Sequence, residues 1–302
     1  DLLDGGKKLR PTFAYWGWRS AGGAPEGPIL SAAAALEFLQ ACALIHDDVM
    51  DGSDTRRGKP AAHRRLASMH RSHGYLGSPE DFGVGSAILL GDLCLSWSDE
   101  LLMASGLPPA ALAAAKPIFD EMRTELMAGQ YLDLLEQVRG DYSLDSALQV
   151  ARYKSAKYTV ERPLHIGAAA AGADDAHLDQ LSAFGIPLGE AFQLRDDMLG
   201  VYGDPQETGK PAGDDLREGK RTALVAIAWE RADAFQRDLL RQHLGDPAIT
   251  PSMVDALRDV ITETGAQAAV EQMIDDRTAT CREVVAAMDI DEQTRAAFDR
   301  LL

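Results

Sequence analysis

The stretch from Ala32 to Met50, AAAALEFLQACALIHDDVM, has little choice of conformation. It is rich in alanine and poor in β-branched residues, and alanine loses no side-chain entropy when a helix forms. Ser31 stands where a capping hydroxyl is wanted. The same texture recurs down the chain. Helices are predicted over Gly85–Met103, Pro109–Arg139, Leu144–Gly172 with a bend near Pro163, Leu178–Tyr202, Arg221–Gln242, Pro251–Thr264 and Ala266–Met288. Glycine and proline clusters mark loops at Gly22–Pro28, Gly74–Gly83, Gly203–Lys220 and Gly245–Pro251. Sustained period-2 alternation, a heptad zipper and internal repeats are absent. The expected fold class is all-α, in a single domain over residues 1–302, since no linker marks a second.

The end of the first predicted helix carries an electrostatic problem. In Asp47-Asp48-Val49-Met50-Asp51 the carboxylates of Asp47 and Asp51 share one helix face, with Asp48 alongside. Like charges at this spacing repel, and the negative end of the helix dipole adds to the cost. Hard divalent cations relieve it, and magnesium commonly bridges carboxylates to phosphates. A second pair, Asp196-Asp197, lies in another predicted helix within QLRDDMLG.

The chain has 30 Lys and Arg against 47 Asp and Glu, a formal charge of −17. That field disfavours nucleic acid and anionic lipid as partners. An anionic ligand would need cations or a local basic cluster to reverse it. Basic residues do gather beside glycines: Lys7, Lys8 and Arg10 in GGKKLRP, Arg56-Arg57-Gly58, Lys154 and Lys157, Lys210 in TGKP, and Lys220-Arg221 in EGKRT. Such runs suit phosphate oxygens, which Arg can bind bidentately. Their glycine spacing fits neither a P-loop nor a dinucleotide fingerprint.

Cys42, Cys94 and Cys281 form no CxxC pair, which points to a reducing compartment, the cytoplasm. The longest apolar runs, Ile166–Ala173 and Thr222–Trp229, fall short of the roughly 20 residues a bilayer requires, so no transmembrane segment is expected. His63, His70 and His73, in HRRLASMHRSHG, lack acidic or cysteine partners in ligand spacing and read as solvated surface. His46 borders the acidic motif but lies on a different helix face from Asp47, and reads as a packing residue or as one that supports the metal ligands from behind.

Taken in order, these motifs resemble the trans-polyprenyl diphosphate synthase family, which includes geranylgeranyl and farnesyl diphosphate synthases. Six ordered segments carry the likeness: GGKKLRP, LIHDDVMDGSDTRRG, GQYLD, YKSAKYT, FQLRDDMLGVYGD and TGKPAGDDLREGKRT. The resemblance implies an isoprenoid synthase-type helical bundle around a central cavity, usually a homodimer. It implies magnesium-dependent condensation of isopentenyl diphosphate with an allylic diphosphate, releasing pyrophosphate. By the same resemblance Asp47 and Asp51 are ligands of two magnesium ions and Asp196 of a third, supported by Asp48 and Asp197. Arg56, Lys154 and Lys210 are similar to the grip on the allylic diphosphate. Lys7, Arg10, Arg57 and Gln40 are similar to the grip on isopentenyl diphosphate. Ser155 and Gln193 resemble polar groups facing the developing carbocation, and Lys220 a lysine on a closing loop.

The second acidic motif departs from the family pattern, because Gly200 stands where an aspartate usually ends it, and Asp204 is too distant to substitute. Relatives also carry a helix before the basic opening motif, so residue 1 is not expected to be the natural start. The rival readings are a class I terpene cyclase, which needs no isopentenyl grip, and a catalytically silent subunit, which should lose acidic ligands. Along the Asp47 face lie Ala43, Gln40 and Leu36, with Cys42 and Leu39 beside it. Small residues at 42 and 43 should let a prenyl tail pass to a floor at Leu39 and Leu36, predicting geranylgeranyl diphosphate.

Overall fold

A computed structural model of the protein describes residues 5–140, 142–204, 213–246 and 248–302. It is all-helical apart from one small hairpin. The elements are α1 (Leu9–Ser20), α2 (Ile29–Met50), β1 (Thr55–Arg56), β2 (Lys59–Pro60), α3 (Ala62–Ser72), α4 (Pro79–Met103), α5 (Pro109–Arg139), α6 (Leu144–Val150), a π-helical segment (Ala151–Glu161), α7 (Arg162–Ala170), α8 (Asp175–Tyr202), α9 (Asp214–Glu218), α10 (Ala223–Arg231), α11 (Ala234–His243), α12 (Pro251–Glu263), α13 (Ala266–Ala287) and α14 (Glu292–Leu301).

Two compact units are present, Asp1–Thr12 with Pro25–Pro109, and Phe13–Ala24 with Ala110–Leu302. In the first, α2 and α3 pack on α4. Ala41, Cys42 and Ile45 of α2 meet Ala87 and Cys94 of α4 in a buried cluster. His46 belongs to this packing: its Nε2 lies 3.1 Å from the Ile88 carbonyl, and a Cβ at Gly91 would come within 2.1 Å of it. In the second unit α8 is the axis, packed against the π segment and α13. Leu194, Leu224, Leu257 and Val270 form part of its core.

Several boundaries differ from those read in the sequence. Helix α2 starts at Ile29, so Ser31 falls inside its first turn. Helix α4 starts at Pro79 because Ser78 caps it, its hydroxyl accepting from the Asp81 amide at 3.2 Å. Gly83 is no breaker there; it lets α4 approach the His63 carbonyl, which a Cβ would meet at 2.4 Å. The stretch Arg221–Gln242 divides at Asp233, which forms a capping box with Gln236. Helices α1, α3, α9 and α14 escaped the sequence reading.

Helix α3 also corrects the reading of its histidines. His63 and His70 are buried, at 5 % and 3 % exposure, not solvated. His70 Nε2 donates to the Leu76 carbonyl at 3.0 Å, and its ring lies against Tyr75 and Phe82. The imidazoles serve as core surface, which a count of apolar residues does not register. The apolar-run reading needs correction as well. Among the described residues α2 is long and apolar enough to cross a membrane, with mean hydropathy 1.6, though half of that window is buried in the fold. Its C-terminal turn carries Asp47 and Asp48, and its flank is committed to α4.

Candidate active site

In the first unit the acidic motif closes α2. The Asp51 amide donates to the Asp47 carbonyl at 2.8 Å, so three carboxylates gather at the negative end of a 22-residue helix. The chain then turns into the hairpin, whose two-residue loop is Arg57-Gly58, both with positive φ (54° and 70°). That is the geometry of a tight type I′ turn. The turn parts the two arginines. Arg56 Nε donates to Asp48 Oδ1 at 2.8 Å, and its terminal nitrogen lies 3.4 Å from Asp47 Oδ2. Arg57 stands instead against the opening loop: a Cβ at Gly6 would come 2.6 Å from its guanidinium. GGKKLRP and the RRG turn, remote in sequence, are therefore neighbours. Lys7 is exposed in this loop, Lys8 is paired with Glu37 at 2.6 Å, and Arg10 sits half-buried on α1.

Gln40 and Ala43 lie half-buried on α2, whereas Leu36 and Leu39 are fully buried. The unit also holds an open-mouthed cavity of about 880 Å³ on another face of α2. It is lined there by Phe38, Ala41, Ile45 and Asp48, with Arg57 and Trp97. Asp48 is rotated about 100° from Asp47 around the helix axis, so this cavity does not follow the Asp47–Ala43 face.

In the second unit the YKSAKYT motif forms a π-helix. The Arg162 amide donates to the Lys157 carbonyl, five residues back, which widens the turn. Glycines allow its close seating. A Cβ at Gly129, in GQYLD, would come 2.5 Å from the Lys154 amide, and one at Gly189 would come 2.4 Å from Ala156 Cα. The same GQYLD segment supplies Asp133, whose Oδ2 accepts from Lys154 Nζ at 2.5 Å. Ser155 donates to the Gln193 side-chain oxygen, and Gln193 Nε2 donates to Asp197 Oδ1 at 2.6 Å. A hydrogen-bond chain thus links the π segment to the second acidic motif.

Within that motif Asp196 is exposed and Asp197 is buried. Burial pushes the Asp197 carboxyl up to about 8, with the neighbouring Asp215 charge adding to the rise and the Gln193 amide opposing it. Lys220 Nζ reaches Asp215 Oδ1 at 3.1 Å and Glu218 at 2.6 Å. Helix α8 ends at Tyr202, leaving Asp204 exposed beyond it. Lys210 lies outside the described residues. Asp133 and Asp215 were missed as functional candidates: each stood inside a quoted motif, but only the fold shows which basic group it holds.

The donors are all oxygens, as magnesium requires, and Asp196 stands exposed beside the buried Asp197, where an ion can reach it. Among the described residues no group of three or more His, Cys, Asp or Glu forms a metal cage by itself. Magnesium sites that use one or two carboxylates and finish with water and substrate phosphate need no such cage.

The sequence matches the polyprenyl synthetase family over residues 1–261. The chain belongs to that family. It is a trans-prenyl diphosphate synthase on an isoprenoid synthase fold. The crystal structure of geranylgeranyl pyrophosphate synthase from Corynebacterium glutamicum, complexed with isoprenyl diphosphate and magnesium, is 43 % identical to the synthase. It superposes with a TM-score of 0.96, covering 100 % of this chain and 86 % of that one. A geranylgeranyl diphosphate synthase of Sulfolobus acidocaldarius is 33 % identical, covering 86 % of this chain and 74 % of its own. A geranylfarnesyl diphosphate synthase of Aeropyrum pernix is 30 % identical over 99 % of this chain and 89 % of its own. These names span different product lengths, so membership leaves the length open.

Proposed function

We propose that the synthase condenses isopentenyl diphosphate with an allylic diphosphate, using magnesium, to give geranylgeranyl diphosphate and pyrophosphate. The observation that carries this reading is the parting of Arg56 and Arg57. One hairpin offers one guanidinium beside the acidic motif and another beside the lysine-bearing opening loop, which suits two diphosphates. A cyclase needs only one such grip.

Asp47 and Asp51 would hold two magnesium ions and Asp196 a third, and bound there the ions would supply neutralisation of the charge on the departing diphosphate. Asp48 and Asp197 support those ligands, while Arg56, Lys154 and Lys210 hold the allylic diphosphate. Asp133 fixes the Lys154 ammonium, so little side-chain freedom is lost when substrate binds. Lys7, Arg10, Arg57 and Gln40 hold isopentenyl diphosphate, with its double bond in line with the allylic C1. The allylic C–O bond breaks with its electrons leaving on the diphosphate. The Ser155 and Gln193 oxygens face the cation that develops. The isopentenyl double bond then attacks C1, and the released pyrophosphate takes the proton that leaves. Lys220 closes over the site.

The small side chains of Cys42 and Ala43 support passage of the tail beyond farnesyl length, toward a floor at Leu39 and Leu36. A homodimer is supported by α4, whose Leu89, Leu93 and Trp97 form an exposed apolar stripe at helical spacing. Three free cysteines support residence in the cytoplasm. The test is pyrophosphate release and product analysis on the purified chain with geranyl or farnesyl diphosphate, with and without isopentenyl diphosphate. Release that requires both substrates is expected. Release without isopentenyl diphosphate would establish a cyclase, and no release with both would establish a silent subunit.

A further inference from the structure

The π segment Ala151–Glu161 is clipped by a carboxylate that has no part in the chemistry above. Glu125, on α5, takes Arg162 bidentately: Nε donates to Oε2 at 2.7 Å and a terminal nitrogen donates to Oε1 at 2.8 Å. Lys157 Nζ donates to the same Oε1. The Glu125 and Arg162 side chains are each only 12 % exposed. Glu121, one turn earlier on α5, accepts from Arg162 as well, at 2.8 Å.

Lys157 and Arg162 are five residues apart. On an α-helix such residues diverge by about 140°, whereas a π turn stacks the later residue over the earlier one. The Arg162 amide donates to the Lys157 carbonyl, so the backbone bond and the carboxylate span the same two residues. Pro163 disfavours a plain α turn here, because its ring would meet the carbonyl of Thr159, four residues back. A helix can answer such a proline by kinking, breaking or widening. The Glu125 clip selects widening.

The register matters upstream of the clip. Helix α7 is seated on α1, since a Cβ at Gly167 would come 1.8 Å from the Ala14 carbonyl oxygen. With α7 fixed, loss of the π turn would rotate the preceding residues by about 100° for each residue of slip. Lys154 would then leave Asp133, and Ser155 would leave Gln193. Glu125, Gly129 and Asp133 stand four residues apart along one stripe of α5. The stripe that clips the register therefore also seats the Lys154 backbone, at Gly129, and holds its ammonium, at Asp133.

We propose that Glu125 is a positioning residue of the condensation, fixing the π register in which Lys154 meets the allylic diphosphate and Ser155 the developing cation. The proposal rests on the roles given above to Lys154 and Ser155, and its test separates the two.

The test is a double-mutant cycle on the purified enzyme, with each substrate varied in turn and Tm measured alongside. Glu125→Gln should lower kcat/KM for the allylic diphosphate by at least about tenfold, leaving the KM for isopentenyl diphosphate within about twofold. In a Lys154→Ala background the same substitution should cost less than about threefold more, because the group it positions is already gone. Arg162→Lys keeps the charge but not the bidentate fork, so it should show the same pattern, and it decides the matter if Glu125→Gln does not fold. Additive losses in the cycle, equal effects on both substrates, or a lowered Tm with wild-type kinetics would overturn the proposal. Wild-type kinetics in Lys154→Ala would instead remove the role of Lys154 itself, and the proposal with it.

Discussion

Arg56 Nε donates to Asp48 Oδ1 at 2.8 Å, while the next residue, Arg57, turns away to the Gly5-Gly6 loop. A one-residue step thus separates two anion-binding groups, because Arg57 occupies the left-handed first position of the turn.

Different kinetic signatures are expected from the two arginines. Arg57→Ala and Lys7→Ala should raise the KM for isopentenyl diphosphate, and Arg56→Ala should raise it for the allylic substrate. Loss of a charged phosphate contact costs about 1.5–3 kcal/mol, roughly tenfold or more in affinity. Only Arg56→Ala should also lower Tm, since it leaves the buried Asp48 carboxylate short of a partner. Steady-state kinetics with each substrate varied in turn decide the matter; equal weakening for both substrates in every variant would show that the grips are misassigned.

Asp47→Asn and Asp51→Asn should lower kcat by at least about a hundredfold, because the lost charge is needed most as the diphosphate departs. Folding should survive, since these carboxylates repel one another at the negative end of α2. Circular dichroism and turnover in magnesium check both halves. Near wild-type turnover in either variant contradicts the ligand assignment.

Product length distinguishes the two faces of α2. Ala43→Phe should block the Asp47 face and shorten the product by one five-carbon unit or more, and Leu39→Ala should lengthen it. Ala41→Phe, which points into the separate 880 Å³ cavity, should leave the length unchanged. Product chromatography reads all three. The tail runs along the other face if Ala41→Phe shortens the product and Ala43→Phe does not.

Acid sensitivity should trace in part to His165. Burial pushes its imidazole below the usual value, against the opposing pull of Glu161 and with Arg162 and Lys157 also lowering it. Its Nε2 donates to the Leu178 carbonyl at 3.0 Å and stands 3.0 Å from Ser182, whose hydroxyl donates to Glu161. The folded state keeps the ring neutral, so the unfolded chain takes up the proton first as pH falls below 6.5. Stability is therefore full above that value and declines on acidification. Urea midpoints at about pH 7.5 and 5.5 should converge in His165→Gln relative to wild type; an unchanged difference would assign the acid sensitivity to other groups.

Helical texture was legible in α2, α5, α8 and α13 because alanine content and apolar spacing are local properties of the chain. The acidic motif at Asp47–Asp51 was legible for the same reason, since residues four apart on a helix must share a face. Helix α3 was not, because His70 becomes core only against Leu76, Tyr75 and Phe82. The π turn at Ala151–Glu161 was hidden too, since it accompanies glycines on two other helices, Gly129 and Gly189, which lie far from it in sequence.

The order and chemistry of the motifs, and with them the family, were therefore determined by the sequence alone. Partnership was not. That Asp133 holds Lys154, that Gly6 meets Arg57 and that Asp215 fills the space at Gly200 depend on contacts between segments 15 to 51 residues apart. Side-chain periodicity reports which face a residue shares with its neighbours along one helix. Only the packed chain decides which distant charge arrives at that face.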